Sequence, residues 1–338
     1  MRPYRKIALG ASVLALLISA CTTGGGNTSA SQTSGASASS PLSSQGTGEK
    51  PAVIIGSADF YESALVGEIY AQALEAEGFS VERKFNLGAR SVTNEALKNG
   101  QLNVMPEYIG SELRELADQK SCAAQDASPA PASPPLCASG DPDETASNLA
   151  KALDPLNLAL LDIAPGQDQN GFVVRQETAD QFSLKTVSDL AKVADQVTWG
   201  LPPECATNPS CSGALKAAYG IDTAGLKVQK IAACSSAMAV ALNSKAIDVA
   251  ELCTTQPDIE RFNFVLLDDD MQSQAADNMA PIVSKELAAA APDLVTKLNA
   301  ISAKLTTDAL TKMGSKVAVD HQKPEDVARQ FLEDNGLT

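Results

Sequence analysis

The feature that most narrows the possible folds is a β–loop–α unit that occurs at the start of the chain's apolar region and then occurs again. Ala52–Ile55 is a short, β-branched apolar run, suited to a strand buried on both faces. Asp59 stands three residues before Glu62, the spacing of a capping box, which places a helix start at about Phe60. Leu65, Val66, Ile69, Ala73 and Leu74 repeat at helical spacing, and Gly78 falls where a left-handed C-terminal cap belongs. Ser80–Phe85 then reads as a second strand, with a helix through Val92, Ala96 and Leu97 closed by Gly100. Leu102–Met105 reads as a third strand, followed by a loop over Pro106–Gly110. The loops at 56–59 and 106–110 thus lie at the carboxyl ends of strands, where open α/β sheets bind ligands. The plainer alternative is that Asp59 only caps and Phe60 only packs.

The alternation continues through strands at Leu156–Leu161, Phe172–Arg175, Val197–Gly200, Leu226–Ile231, Ile247–Leu252 and Ala280–Ser284. Thr186 and Asp189 predict a second capped helix. Polar connections at Asp162–Gly171 and near Asp268–Asp270 read as two crossings between lobes. The expected organisation is a first lobe from 51–165 and 268–338, and a second lobe from 166–267. Each is a mostly parallel α/β sheet flanked by helices, and helices over 292–337 buttress the first lobe. No internal sequence repeat relates the two. A Pro-, Ala- and Ser-rich stretch over 121–143 interrupts the first lobe and reads as a tolerated surface insertion.

The N-terminus has a different character. Arg2, Arg5 and Lys6 precede an apolar run, Ile7–Ile18, that is too short to span a bilayer and ends in Ser19-Ala20-Cys21. Residues 1–20 are therefore expected to be a signal peptide. Leu17-Ile-Ser-Ala-Cys21 resembles a lipobox, in which Cys21 is acylated and becomes the new N-terminus. Residues 21–50, nearly all Gly, Ser, Thr, Ala and Gln, form a flexible tether from a lipid anchor on the outer face of the cytoplasmic membrane. The formal net charge is −15, and loss of the leader's three cations takes it to −18. Such a polyanion repels nucleic acid, which excludes that class of partner.

Export leaves six cysteines in an oxidising compartment, with fifteen possible pairings. Local spacing favours Cys122–Cys137 and Cys205–Cys211. Cys234 and Cys253 remain, each following a neighbouring strand of the second lobe, so that their loops can meet at the cleft. No CxxC occurs and His321 is the single histidine, so neither a metal site nor a cofactor is expected. One histidine far from any poised Ser or Cys also argues against a catalytic triad, and no phosphate or dinucleotide loop is present. Asp268, Asp269 and Asp270 read as a solvated acidic turn rather than as glycosidase or calcium ligands. A monomeric, non-enzymatic binder of a small solute, working by hinge closure, is what these residues imply.

Several motifs in order carry a resemblance. Ile55–Glu62, Gly67–Leu74, Glu95–Gly100 and Pro106–Gly110 resemble the solute-binding proteins of osmoprotectant (glycine betaine, choline, carnitine) ABC importers. Gln167–Val174, Pro202–Cys205 and Ala276–Asn278 are similar to the actinobacterial branch. The resemblance implies a two-lobed, type II periplasmic-binding-protein fold and delivery of the solute to membrane permease subunits. Members that bind quaternary amines enclose the methylated ammonium in an aromatic cage through cation–π attraction. By this resemblance Tyr108 matches a cage tyrosine and Ser111 a neighbouring hydroxyl. Asn170, Cys253 and Asp277 fall where further cage rings are expected, Asn208 where a carboxylate-binding arginine often sits, and Ala58 where a lysine is frequent. Phe60, Tyr61 and Phe172 are the remaining rings, with core packing the plainer role for Phe172. Ser57 and Asp59 join them at the lip of the cleft. A different polar solute, hydroxyl-rich or aromatic, would use Asn170, Thr254, Thr255, Asp277 and Asn278, and Gln169 is a further candidate ligand position. A ligand-sensing domain without transport is the other alternative.

Overall fold

A computed structural model describes residues 50–117 and 135–338. Its ten strands are β1 (Val53–Gly56), β2 (Val81–Lys84), β3 (Val104–Tyr108), β4 (Leu158–Leu160), β5 (Asn170–Arg175), β6 (Thr198–Leu201), β7 (Lys227–Lys230), β8 (Val249–Cys253), β9 (Phe264–Leu266) and β10 (Met279–Ser284). They form two sheets with one topology, β2-β1-β3-β10-β4 and β7-β6-β8-β5-β9. In the first, β1 runs parallel to β2 and β3, while β10 is antiparallel to β3 and β4. In the second, β6 runs parallel to β7 and β8, while β5 is antiparallel to β8 and β9. Four strands of five in each sheet therefore share a direction. The reversed strand is in each case the first one after the chain has passed from the other sheet.

The two passages lie side by side. Gln167 bridges Asn278 in antiparallel register, and backbone bonds Ala164 N–H to Met279 O and Asp168 N–H to Asp277 O hold the ribbon together. These two connections are the covalent links between the lobes.

Cores follow the sheets. Val53, Ile55, Leu65, Ile69 and Tyr70 pack with Leu298, Ile301, Val327 and Phe331, so the C-terminal helices complete the core of the first lobe. The helix Tyr61–Ala76 lies against the helix Pro324–Asp334. In the second lobe Trp199 is fully buried, with Phe172 edge-on to it at 5.9 Å. Phe172 thus takes the packing role.

Two local expectations are corrected. The helix Tyr61–Ala76 has Phe60, not Asp59, at its N-cap, with no side-chain cap. Ser63 Oγ instead turns back to accept from Ala58 N–H, at 3.1 Å, which leaves Glu62 free of the capping box. The third strand runs on to Tyr108, where a loop was expected. Pro106 is tolerated there because it opposes Pro281 on β10. The bonded positions are odd on β3 and even on β10 outside this pair: Ile109 N–H donates to Asn278 O and Ser284 N–H to Asn103 O. The two prolines therefore face each other at a non-hydrogen-bonded pair, where neither N–H is needed between these strands. The Thr186–Asp189 capping box forms as the spacing predicts.

Two disulfides close in the second lobe, Cys205–Cys211 and Cys234–Cys253. The expected Cys122 partner of Cys137 lies outside the described residues, as do Cys21, the leader and the tether. Cys205, Cys211 and Glu251 bring their ligand atoms within 4.8 Å of one another. Oxidised sulfur offers no thiolate, so as disulfide-bonded residues they are poorly suited to a metal. Among the described residues no helix is long and apolar enough to cross a membrane.

Candidate functional site

A cavity of about 700 Å³ lies between the sheets, at the carboxyl ends of β1 and β3 on one side and beside β5 and β8 on the other. Its first-lobe wall is built by the junction that the sequence marked as a strand-to-helix loop. Phe60 stays extended (φ −145°, ψ 149°) and projects its ring over Tyr108, with centroids 6.1 Å apart and planes 21° apart. The Arg90 guanidinium carbon sits 5.5 Å from the Phe60 centroid, while Arg90 Nη2 donates to Glu107 Oε1 at 2.9 Å. The cation is thus spent on a carboxylate behind the wall.

Glu62 points from the helix into the cavity and is 5 % exposed. Tyr108 donates its hydroxyl to Glu62 Oε2 at 3.2 Å, and the Tyr61 and Thr255 hydroxyls stand beside the same carboxyl. Of these hydroxyls Tyr108 is the one within hydrogen-bond geometry, and Oε1 has no partner among the described residues. Burial, reinforced by the charge of Asp168, raises the Glu62 carboxyl well above the ordinary range. Asp168 comes from the first crossing, accepts from Thr255 N–H at 3.2 Å, and is also raised, mainly by burial.

Asp277, from the second crossing, seats the start of the helix Ile109–Leu116. Its carboxylate accepts from Ser111 N–H at 2.8 Å, Ser111 Oγ at 2.6 Å and Arg114 at 3.0 Å, as a helix N-terminus favours. The approach is close: a Cβ on Gly110 would lie 2.5 Å from Ala276 O, so this position needs glycine. Arg114 is thereby paired with Asp277 as Arg90 is with Glu107. Of the charged groups lining the cavity, Glu62 and Asp168 form no ion pair among the described residues.

The second-lobe wall is different in kind. Asn170 opens β5 opposite Cys253, and the Cys234–Cys253 disulfide closes beside it as part of the lining. Thr255, Gln256 and Asn208 complete this wall. It carries no ring.

Nine of the thirteen ligand positions expected from sequence face the cavity. Phe60, Tyr61, Tyr108 and Ser111 come from the first lobe, Gln169 and Asp277 from the crossings, and Asn170, Asn208 and Thr255 from the second lobe. Four are placed elsewhere. Ser57 is fully buried and its Oγ accepts from Asn86 N–H, while Asp59 is exposed outside the cleft. Thr254 faces a second cavity, its hydroxyl accepting from Gln169 N–H and donating to Gln167 O. Asn278 is a buried tie of the crossing, donating to Ala164 O. Asn170, Cys253 and Asp277, matched by resemblance to cage rings, do line the cavity and bring no ring to it. Sequence reasoning missed Glu62, Arg90, Arg114, Asp168 and Gln256. Glu62 had been assigned to a cap; Arg90 and Arg114 sit near helix ends, where a cation reads as solvated. Asp168 carried a signal, lying inside the motif Gln167–Val174.

Comparison with known proteins agrees with this architecture. Residues 51–334 match the family model described as the substrate binding domain of ABC-type glycine betaine transport systems. The carnitine transport binding protein OpuCC of Listeria monocytogenes is 25 % identical over 294 residues, 86 % of this chain and 89 % of that one. A glycine-betaine-binding protein of Pseudomonas aeruginosa is 25 % identical over 309 residues, 88 % and 92 % of the two chains. The crystal structure of a glycine betaine/carnitine/choline ABC transporter protein superposes with a TM-score of 0.72 at 22 % identity, covering 85 % of this chain and 99 % of its own. Apo YehZ of Escherichia coli gives 0.71 at 22 %, with the same coverage.

Proposed function

The chain belongs to the family of substrate-binding domains of ABC-type glycine betaine transport systems, and from that premise we propose that its cleft captures a small organic cation or betaine-like zwitterion for a membrane permease. The observation that carries this reading is the pair Glu62 and Asp168. Glu62 and Asp168 both line the cavity, neither forms an ion pair among the described residues, and burial raises both, with the charge of Asp168 adding to the rise at Glu62, so a cation seated between them would favour their ionised forms. The faces of Phe60 and Tyr108 add cation–π attraction, worth about 0.5–2 kcal/mol per ring. The relatives are named for betaine and carnitine, which fits a positive head at this wall.

Calorimetric titration with glycine betaine, choline, carnitine, primary amines, a sugar and a polyphenol tests the reading. Heat from cations alone supports it. No heat from any cation at millimolar concentration, with or without heat from a neutral solute, would sink it.

The two crossings are the hinge about which the lobes, near 51–165 with 268–338 and near 166–267, close on the solute. Cys21 acylation anchors the chain outside the cytoplasmic membrane, and the protein acts as a monomeric binder without catalysis. Incorporation of labelled palmitate that survives Cys21→Ser would overturn the anchor.

A further inference from the structure

Three buried polar atoms of residues lining the cleft have no partner among the described residues. Glu62 Oε1 on the first-lobe wall and Gln256 Oε1 on the second are acceptors, and Arg90 Nε is a donor. The orientation of the Gln256 amide is fixed, because its Nε2 donates to Asp258 Oδ2 at 2.8 Å; the reversed amide would set two oxygens together. Each wall therefore has a lining residue that carries a buried acceptor without a partner among the described residues. A fully methylated ammonium has no N–H. It can offset the charge of Glu62, yet it covers both oxygens without bonding either.

The rings point the same way. Phe60, Tyr61 and Tyr108 all stand on one wall, and two of them already stack on each other at 6.1 Å. The opposite wall meets the ligand with amides, a hydroxyl and a disulfide. Methyl groups turned toward that wall would meet hydrogen-bonding groups instead of ring faces.

We propose that the cationic head of the ligand carries N–H donors, a primary or secondary ammonium or a guanidinium, shared between Glu62 Oε1 and Gln256 Oε1. The cleft then ranks such cations above their fully methylated counterparts, and Arg90 Nε is left to meet an acceptor at the ligand's other end. This rests on the cationic-solute reading and narrows it.

The test is a calorimetric series on the whole chain in which methyl groups on nitrogen are exchanged for N–H: glycine betaine, dimethylglycine, sarcosine and glycine, then choline, dimethylethanolamine and ethanolamine, with agmatine as the guanidinium probe. Each stranded acceptor is expected to weaken binding on the order of tenfold, so the tightest N–H member should exceed its quaternary parent by at least that factor. Gln256→Met keeps the shape and the cleft charge while removing that acceptor, together with the amide donor to Asp258 Oδ2. In that variant, with its thermal midpoint retained, the N–H preference should shrink by about tenfold. A quaternary member that binds tightest, or a ranking unmoved by Gln256→Met, overturns this proposal and leaves the cationic reading standing. No binding by any cation overturns both.

Discussion

The two lobes share one strand order and differ in almost everything they show the cleft. The first presents stacked rings and a buried carboxyl, held by a strand-to-helix junction and by arginines already paired behind it. The second presents amides and a disulfide, with its large rings, Trp199 and Phe172, drawn into the core. Topology therefore sets where a ligand sits, while the side chains at three or four strand ends set what it is. An aromatic enclosure needs rings from both walls. This cleft has them on one, and replaces the rest with hydrogen-bonding capacity.

The comparison can be broken or sharpened by measurement. The largest effect is expected from Cys234→Ser with Cys253→Ser. Opening that loop should cost roughly 2–4 kcal/mol of stability, read from urea unfolding. Because the bond stiffens only the second wall, solute affinity should fall while the first-lobe core keeps its amide exchange protection. Loss of protection throughout would show that the lobes do not behave separately.

Glu251 gives the next effect. It lies on β8, 2 % exposed, and burial, with Glu204 nearby, pushes its carboxyl up to about 7. Its closest polar approach is Cys211 Sγ at 3.2 Å, and a disulfide sulfur has no S–H to donate. With the folded pKa above the unfolded one, the group's contribution to stability is complete below about 4.5 and is lost as pH rises through about 7. Glu251→Gln should remove that loss, making the protein more stable at pH 8 by at most about 3 kcal/mol and little changed at pH 4. An equal shift at both pH values would refute the assignment.

Smaller effects separate the walls directly. Phe60→Ala should weaken cation binding by about 0.5–2 kcal/mol without altering neutral solutes, whereas Asn170→Ala should cost about 0.5–1.5 kcal/mol and act on N–H cations first. Equal losses for all solutes in both variants would mean that the walls are not chemically distinct.

Much of this was legible in the residues. The β-branched runs and their loops announced nearly every strand, and the Thr186–Asp189 box announced its helix, because both signals are local. The Pro106–Tyr108 extension was not legible: proline reads as a strand breaker until its partner, Pro281, is known to sit across from it. Glu62 was misread for a related reason. A capping box and a cleft carboxylate have the same spacing, and only the turn taken by Ser63 distinguishes them. Ser57, Asp59, Thr254 and Asn278 were drawn toward the site by neighbours in sequence. Strand alternation and the crossing ribbon then turned them elsewhere. The orphaned acceptors could not be foreseen at all, since satisfaction is a property of the packed state.

The nested strand order has a consequence for how the protein comes to exist. β10 lies between β3 and β4, so the first sheet lacks the strand that joins β4 to the rest until Met279–Ser284 is available, whereas all five strands of the second sheet fall within 170–266. A chain emerging from its N-terminus would therefore hold its earlier lobe open, with unpaired edges exposed, while the later lobe matures. The fragment 166–270 is expected to show cooperative unfolding alone, and the fragment 51–165 is not. Birth order and the expected folding order thus run in opposite directions, with strands of the first third of the chain waiting on a strand of its last third.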